Sequence, residues 1–248
     1  MRTILRRAFV AALVVACGTA GVASAQTADE IVEKTLTALG GREALGKVTS
    51  RHVTGKVAVA TPGGDLPGTI EIFNQAPNKV RTLLNLDASA LGGGTVTLDQ
   101  RFDGTSGIAM SSMQGNQEIT GDQLANMKNA DFPTPLLRYK EHGTTIALAG
   151  KEKVGDHDAF ALTVTPKAGP ASRVFVDADS YLPVRLIVTL DLPQVGRVEQ
   201  TSDLTDYRVV DGVKVPFSIH NSSSVQTVNV TITSVEHNVK LDPAMFGK

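Results

Sequence analysis

Hydrophobic and polar residues alternate along most of the chain after residue 48. Residues 213–220 are the clearest case, since valine, valine, phenylalanine and isoleucine alternate there with lysine, proline, serine and histidine. A period of two is typical of β-strands that bury one face and expose the other. The same period recurs in residues 53–59, 70–72, 96–98, 160–164, 174–176 and 184–190. We therefore predict a mainly β protein with one large antiparallel sheet of about eleven strands.

Turn signals separate the predicted strands. Asp-Gly at 103–104 and 211–212, and Gly-Gly at 63–64, stand where the chain should reverse, because glycine accepts the positive φ of hairpin turns. Pro216 interrupts an otherwise regular strand and has no amide hydrogen to donate to a neighbour. We expect its strand to lie at an edge of the sheet, or Pro216 to face away from a hydrogen-bonded partner.

A helical pattern precedes the first strand. Thr27 and Glu30 have the spacing of a capping box, in which each side chain accepts a hydrogen bond from the other residue's backbone amide. Three apolar residues between positions 32 and 39 share one face, and Gly40-Gly41 supplies a left-handed ending. We predict a helix over residues 28–39, followed by a short helical turn over residues 42–45.

A second helical pattern interrupts the β-strands at residues 120–141. Thr120 and Gln123 have capping-box spacing, and Thr134-Pro135 suits an N-cap followed by a first-turn proline. Apolar residues follow these two starts at helical spacing: Leu124 and Met127, then Leu136, Leu137 and Tyr139. We predict a broken amphipathic helix that lies on the sheet as a lid over an apolar hollow.

The first 25 residues have the features of an export signal. Three arginines and an apolar run precede Ala23-Ser24-Ala25, a typical small-residue cleavage site, and the apolar run is too short to span a membrane. An alternative cleavage before Cys17 would make the protein a lipoprotein, and this alternative stays open. We expect residues 1–25 to be a signal peptide and residues 26–248 to form a single domain in the periplasm or on the outer membrane.

Charge and aromatic content narrow the classes of partner. Removing the three arginines of residues 1–25 leaves 21 of the 24 basic residues against 25 acidic ones, a net charge of −4, which argues against nucleic acid. The chain has no tryptophan, three tyrosines and eight phenylalanines, so its apolar surface is mostly aliphatic. Such a surface suits acyl chains, and no cofactor is expected.

Residues suited to catalysis or metal binding are sparse. The five histidines lack zinc-site spacing, and we expect all five to be solvated surface residues. Asp177 and Asp179 are expected to cap a strand and open a turn, and residues 104–107 only approach a nucleophile elbow. We predict no catalytic residue, no metal site and no enzymatic activity.

The candidate ligand-binding residues are therefore apolar side chains of the strands and of the lid. The alternative is that the same side chains fill an ordinary core. The candidates are Ile70, Ile72, Val96, Leu98, Met110, Leu124, Met127, Phe132, Leu136, Leu137, Leu162, Val174, Val176, Leu186, Val188, Phe217 and Ile219.

Six stretches of the chain together resemble a known family. They are "ALGGREALGKV" at 38–48, "APNKVR" at 76–81, "RFDGTSG" at 101–107, "GKEKVGDHDAFALTV" at 150–164, "RVFVDADSYLPVRL" at 173–186 and "YRVVDGVKVPFSI" at 207–219. With the export signal and the lid, this layout resembles the LolA/LolB lipoprotein-localisation superfamily, in particular its exported outer-membrane lipoprotein-sorting relatives. The resemblance implies an unclosed half-barrel whose concave face binds lipid.

The chain departs from the carrier members of that superfamily at three places. Carriers commonly place an arginine, which helps hold the lid closed, before the proline of the third strand, where this chain has Ala76. Ile108 replaces an aromatic residue after the Asp-Gly turn, and the sequence ends at Lys248 without the carriers' C-terminal extension. These departures favour a binder of lipid or apolar ligands over a strict lipoprotein chaperone.

Three functions are compatible with these observations. The first is a non-enzymatic carrier that binds and transports lipid acyl chains or acylated lipoproteins in the cell envelope, with peripheral membrane contact. The second is an envelope sensor or adaptor that binds a partner protein through the same fold. The third is an enzyme, which would need Asp177, His157 or His220 to meet inside the concavity.

Overall fold

The computed structural model describes residues 26–192 and 195–247, most of which form a single antiparallel sheet. The expectations for the signal peptide and Cys17 lie outside the described residues. The strands are β1 (Ser50–Thr61), β2 (Gly64–Gln75), β3 (Lys79–Asp87), β4 (Thr95–Phe102), β5 (Gly107–Ser111), β6 (Gly115–Ile119), β7 (Thr145–Val154), β8 (His157–Thr165), β9 (Ser172–Asp177), β10 (Pro183–Leu192), β11 (Gly196–Val210), β12 (Val213–Ser222) and β13 (Thr227–His237). The α-helices are α1 (Ala28–Ala38), α2 (Arg42–Gly46) and α3 (Gly121–Asn129), and 3-10 turns cover Ser89–Leu91, Pro135–Leu137 and Pro243–Phe246.

The order of strands shows how the sheet is built. It runs β6-β5-β4-β3-β2-β1-β13-β12-β11-β10-β9-β8-β7, so two meanders, β1–β6 and β7–β13, meet where β1 pairs with β13. Strands β6 and β7 are consecutive in sequence but lie at opposite edges. The connection between them, residues 120–144, must therefore cross from one edge of the sheet to the other. This topology confirms the predicted open half-barrel with a lid.

The described residues contain thirteen strands, two more than the approximate number predicted. The polar strand β6 explains part of the difference, because four of its five residues are exposed and only Ile119 is buried. A five-residue strand without an alternating apolar pattern gives little signal in the sequence.

Both edges of the sheet carry features that oppose further pairing. Strand β6 is only five residues long and polar. Strand β7 has a register irregularity between Leu148 and Gly150, followed by the exposed charged residues Lys151, Glu152 and Lys153. Short edges, bulges and charges are the usual means by which proteins protect unpaired strands.

The predicted turn at Asp211-Gly212 is confirmed, and of the two alternatives for Pro216 the edge strand is wrong, because β12 lies between β11 and β13. Asp211 and Gly212 both have positive φ, as a two-residue hairpin turn of type I′ requires. Pro216 lies opposite Tyr207 of β11, whereas the pairing of β12 with β13 covers only residues 218–222 of β12. Pro216 therefore lies beyond the residues of β12 that pair with β13, and its missing amide hydrogen breaks no bond of that ladder.

The core is formed by one face of the sheet together with α1, α2 and the lid. Val53 of β1 lies opposite Ile72 of β2 and Val235 of β13, and cross-strand neighbours of this kind share a face. Ile31 and Val32 of α1 belong to the same core and are fully buried. None of the helices in the described ranges is long and apolar enough to cross a membrane.

The start of α1 has the predicted capping box. The Thr27 hydroxyl accepts a hydrogen bond from the Glu30 amide at 3.2 Å, and the Glu30 carboxylate accepts one from the Thr27 amide at 2.9 Å. We expect Thr27→Ala to lower the free energy of unfolding by about 1 kcal/mol, measured by urea denaturation. Thr37→Ala, in the exposed last turn of the same helix, is the control, because alanine is a better helix former there. Equal effects of the two changes would contradict this role of the cap.

Of the two helix starts predicted in the lid, one has the expected capping hydrogen bond and the other does not. Thr134 caps the Pro135–Leu137 turn as predicted, accepting a hydrogen bond from the Leu136 amide. Thr120 occupies the N-cap position of α3 with extended backbone, but its side chain makes no capping hydrogen bond. The expected second capping box is therefore wrong in its hydrogen bonds, although the helix begins where it was predicted.

Candidate functional site

A cavity of about 720 Å³ lies between the lid and the sheet. This volume is within the range of about 300–1,000 Å³ that is usual for small-molecule sites. The connection between β6 and β7 contributes residues between 126 and 144, Leu39 lies directly after α1, and Leu45 belongs to α2. The sheet contributes Arg51, Val164, Ser172, Val174, Pro183, Leu186, Val188, Tyr207, Val213, Lys214, Val215, Pro216 and His237.

Aliphatic side chains of three neighbouring strands form the apolar wall of the cavity. Val174 of β9 lies opposite Leu186 of β10, so the two share a face of the sheet. Val164 and Val188 extend this wall along β8 and β10. The wall has no charged side chain at these four positions and suits a hydrocarbon chain.

The opposite end of the cavity is polar because β1 and β13 meet there. Arg51 lies directly across from His237 in the register of these two strands. The Arg51 Nη2 donates a hydrogen bond to Asn74 Oδ1 at 3.2 Å, and the guanidinium lies over the Phe132 ring at 5.1 Å from its centroid. Burial lowers the pKa of Arg51 from 12.5 to about 10, so the side chain remains charged at neutral pH.

His237 corrects the expectation that all five histidines are solvated. Its side chain is only 2 % exposed, and its Nδ1 lies 3.3 Å from an Asp211 carboxylate oxygen. Burial lowers the pKa of His237, the positive charge of Arg51 lowers it further, and Asp211 opposes both effects only in part. Because it is buried beside the positive charge of Arg51, His237 is held neutral at neutral pH.

The lid is held in place by polar contacts at several points. Within it, the Asp131 carboxylate accepts hydrogen bonds from Arg138 at 2.9 and 2.7 Å, and His142 lies 3.4 Å away. Asn126 donates to the carbonyl of Thr189 in β10 at 2.7 Å. The Tyr139 hydroxyl donates to Asp29 of α1 at 2.6 Å. The lid is thus attached both to the sheet and to the first helix.

Four of the predicted ligand-binding residues line the cavity: Leu136, Val174, Leu186 and Val188. Others are buried in the surrounding core: Ile70, Phe132, Leu162, Val176 and Phe217. Partly buried residues that pack against that core are Ile72, Val96, Leu137 and Ile219. Leu124 and Met127 lie on α3, and Leu98 is 38 % exposed on β4. Whether these residues contact a ligand stays a prediction.

Met110 lies on the other face of the sheet from the core. Met110 is directly opposite Asp99, and Asp99 is directly opposite Leu83, so these three side chains share one face of the sheet. Leu84, the next residue after Leu83, packs against the core and therefore lies on the other face. Met110 was a candidate because methionine has a flexible, adaptable side chain. That property does not indicate which face of the sheet the side chain lies on.

The sequence reasoning missed Arg51, His237 and Tyr207. Arg51 is two residues before the core residue Val53, and alternate residues of a strand face the same side of the sheet. The sequence therefore contained a signal that Arg51 faces inward. The Tyr207 hydroxyl donates to the Pro183 carbonyl at 2.6 Å, and burial raises the pKa of Tyr207. Tyr207 carries no comparable signal, because it falls next to Asp206, whose positive φ disturbs the alternation of β11.

The polar residues considered for catalysis do not meet in the cavity. Asp177 accepts hydrogen bonds from the amide and hydroxyl of Ser180, both at 2.7 Å, and so caps a turn as predicted. His157 approaches Asp177 at 3.4 Å but is 70 % exposed, and neither borders the cavity. His220 pairs with Asn229 on the surface. Across residues 26–192 and 195–247, no group of three histidine, cysteine or acidic residues could hold a metal ion.

Comparisons with known proteins bear on the fold. No protein-family model matches the chain, and no curated protein matches it. A LolA superfamily protein from Nitrosomonas europaea is similar in structure, with 15 % identity and a TM-score of 0.56 over 90 % of this chain and 99 % of that one. A DUF1329 family protein from Desulfovibrio piger gives 13 % identity and a TM-score of 0.56 over 90 % and 98 % of the two chains.

A third structure is an outer-membrane lipoprotein-sorting protein domain from Vibrio parahaemolyticus. It is 9 % identical, with a TM-score of 0.54 over 88 % of this chain and 95 % of that one. All three similarities extend over nearly the whole length of both chains. The half-barrel, the crossing lid and these similarities together identify the fold of this chain as LolA/LolB-like.

Proposed function

We propose that the protein is a non-enzymatic binder of lipid acyl chains. The acyl chains would lie in the cavity between the lid and the sheet. The observation that supports this proposal most directly is the 720 Å³ cavity with its wall of Val164, Val174, Leu186 and Val188. The four side chains offer contact surface and no reactive group, which is what an inert carrier requires.

The hydrophobic effect alone is large enough for such binding. Each methylene group removed from water contributes about 0.8 kcal/mol, so ten buried methylenes would contribute roughly 8 kcal/mol. Association costs at least about 4 kcal/mol of this gain in lost translational and rotational freedom. The remainder corresponds to useful affinity without any catalytic group.

The cellular setting of the proposal is the bacterial envelope. The export features of residues 1–25 and the fold shared with an outer-membrane lipoprotein-sorting domain support a periplasmic or outer-membrane-associated carrier. An acylated lipoprotein is a natural cargo of this kind, since its lipid anchor presents the same acyl chains.

The first test is direct binding by residues 26–248 of the protein. Organic extraction and mass spectrometry of the purified protein should yield lipid, and the delipidated protein should enhance the fluorescence of N-phenyl-1-naphthylamine, a neutral apolar probe. If the protein held no lipid and did not bind the probe, the proposal would be wrong. Capture of a stoichiometric envelope protein would then favour the adaptor alternative.

Filling part of the cavity should weaken binding. Val188→Trp adds a large side chain to the apolar wall, and we expect at least a tenfold loss of probe affinity, which is roughly 1.4 kcal/mol. Thr189→Trp is the matched control, because the neighbouring residue of a strand faces the other side of the sheet. Equal loss in both variants would indicate a general disturbance of β10 instead of a filled cavity.

A further inference from the structure

The polar end of the cavity carries a partly buried cation, Arg51, without a counter-ion. In the part of the chain that the structure describes, no carboxylate forms an ion pair with Arg51, and its Nε has no hydrogen-bond partner. Arg51 is partly buried, its Nε is fully buried, and the residue borders the cavity. Holding an unpaired charge partly out of water costs free energy, and an anionic ligand bound to it would offset that cost.

The charges around Arg51 leave its positive charge uncompensated. Among the described residues that line the cavity, Asp131 is the carboxylate, and both of its oxygens are already bound by Arg138. Lys214, which also borders the cavity, adds further positive charge, and His237 adds no negative one. The apolar wall and the cationic end border the same cavity.

We propose that Arg51 binds the anionic head of an amphiphile, a carboxylate or a phosphate, while the hydrocarbon tail lies against the wall formed by Val174, Leu186 and Val188. This inference rests on the proposed function and specifies its ligand class. Arginine suits the role because its planar guanidinium donates two parallel hydrogen bonds to carboxylate or phosphate oxygens. The stacking of Arg51 on Phe132 and its bond to Asn74 hold the guanidinium in one orientation.

The wild-type protein tests this assignment without any substitution. Displacement of N-phenyl-1-naphthylamine is measured at pH 8 and sub-micellar concentration with hexadecanoate, hexadecanol and hexadecyltrimethylammonium, which share a tail and differ in the head. A hydrogen-bonded charged group typically improves affinity by about tenfold to a hundredfold. We expect hexadecanoate to displace the probe at least about tenfold more effectively than hexadecanol, and the cationic amphiphile to be weaker than the alcohol.

Substitution of Arg51 assigns the preference to this residue. Arg51→Met keeps the aliphatic packing and removes the charge, so it should abolish the advantage of hexadecanoate and leave hexadecanol binding unchanged within about twofold. Arg51→Lys should retain part of the advantage. Lys56→Met, an exposed cation on the same strand, is the control and should leave the preference intact. If Arg51→Met failed to fold, the wild-type series would still decide.

The outcomes separate this inference from the proposed function. If hexadecanoate and hexadecanol displaced the probe equally, the Arg51 assignment would be wrong while the apolar carrier would stand. If neither displaced it, the carrier would fail as well. Inorganic phosphate and acetate distinguish a tailed ligand from a free anion: displacement by millimolar phosphate without any effect of hexadecanol would assign the site to small anions and overturn the amphiphile.

Discussion

Asp99→Ala is expected to lower the free energy of unfolding by about 2–3 kcal/mol, less than the about 3–5 kcal/mol of a fully buried pair because Arg81 and Arg101 stay partly exposed. Asp99 is 7 % exposed and accepts hydrogen bonds from two arginines. Arg81 donates to it at 2.9 and 2.7 Å, and Arg101 at 3.1 and 2.8 Å. Removing the carboxylate leaves two partly buried cations with no compensating charge.

The register of β3 and β4 makes Asp99 necessary. Arg81 and Arg101 are directly opposite each other in the sheet, and like charges in that position repel. The Asp99 carboxylate binds both guanidinium groups and converts the repulsion into a bridged triad. Urea denaturation measures the loss, and Glu43→Ala is the control, because the Glu43–Lys47 pair is exposed and should contribute less than about 1 kcal/mol. A loss below 1 kcal/mol for Asp99→Ala would contradict this account.

The same triad has a pH dependence with a definite sign. Burial alone would raise the pKa of Asp99, but hydrogen bonds from Arg81 and Arg101 outweigh burial, and the pKa lies below its ordinary value of 3.8. A carboxyl group with a lowered folded-state pKa stabilises the protein above its unfolded pKa, and this contribution disappears as the pH falls through the folded-state value. Wild-type stability should therefore fall below about pH 4. The free energy of unfolding of Asp99→Asn, measured by urea denaturation between about pH 2 and pH 7, should fall less steeply with decreasing pH than that of the wild type.

Gly40→Ala is expected to lower the free energy of unfolding by about 3 kcal/mol or more. Gly40 has a φ of 129°, a conformation that residues with a side chain rarely adopt. A Cβ at this position would lie 2.2 Å from the carbonyl oxygen of Gly212 in the β11–β12 turn. The backbone near Gly40 and the backbone of the β11–β12 turn would have to move apart. This movement would disturb the hydrogen bond from the Lys214 amide to the Leu39 carbonyl, which is 2.8 Å long.

Substitutions at Gly41 and Gly46 separate the cost of backbone strain from the cost of the collision with Gly212. Gly41 also has positive φ but has nothing within 4 Å of a Cβ, so Gly41→Ala should show backbone strain alone, about 1–3 kcal/mol. Gly46 lies at the end of α2 without positive φ, and Gly46→Ala should be neutral or slightly stabilising. Thermal or urea denaturation of the three variants gives the order, and equal losses for Gly40 and Gly41 would rule out the collision with Gly212. Because Leu39 and Lys214 line the cavity, Gly40→Ala should also weaken ligand binding.

Local chemistry made much of the fold predictable from sequence. The capping box at Thr27, the glycine ending of α1, the Asp211-Gly212 turn and the Thr134-Pro135 start each depend on residues close together in the chain. The position of the lid followed from a change of hydrophobic period at residue 120. These features are decided by backbone preferences that tertiary packing did not override.

The polar end of the cavity could not be predicted in the same way. Arg51 and His237 are separated by most of the chain, and they meet only because β1 pairs with β13. A histidine at a strand end can be solvated or buried, and sequence alone does not say which. The apolar candidates were similarly ambiguous, since Leu162 in the core and Val174 at the cavity have the same alternating pattern.

The two unpaired edges of the sheet have a consequence for how the protein behaves at high concentration. A half-barrel that never closes always presents two rows of backbone groups, which could template the addition of strands from another molecule and so begin fibrillar aggregation. The short polar strand β6 and the bulged, charged strand β7 offer poor templates. These edges let the sheet stay unclosed while opposing its continuation into a neighbouring copy.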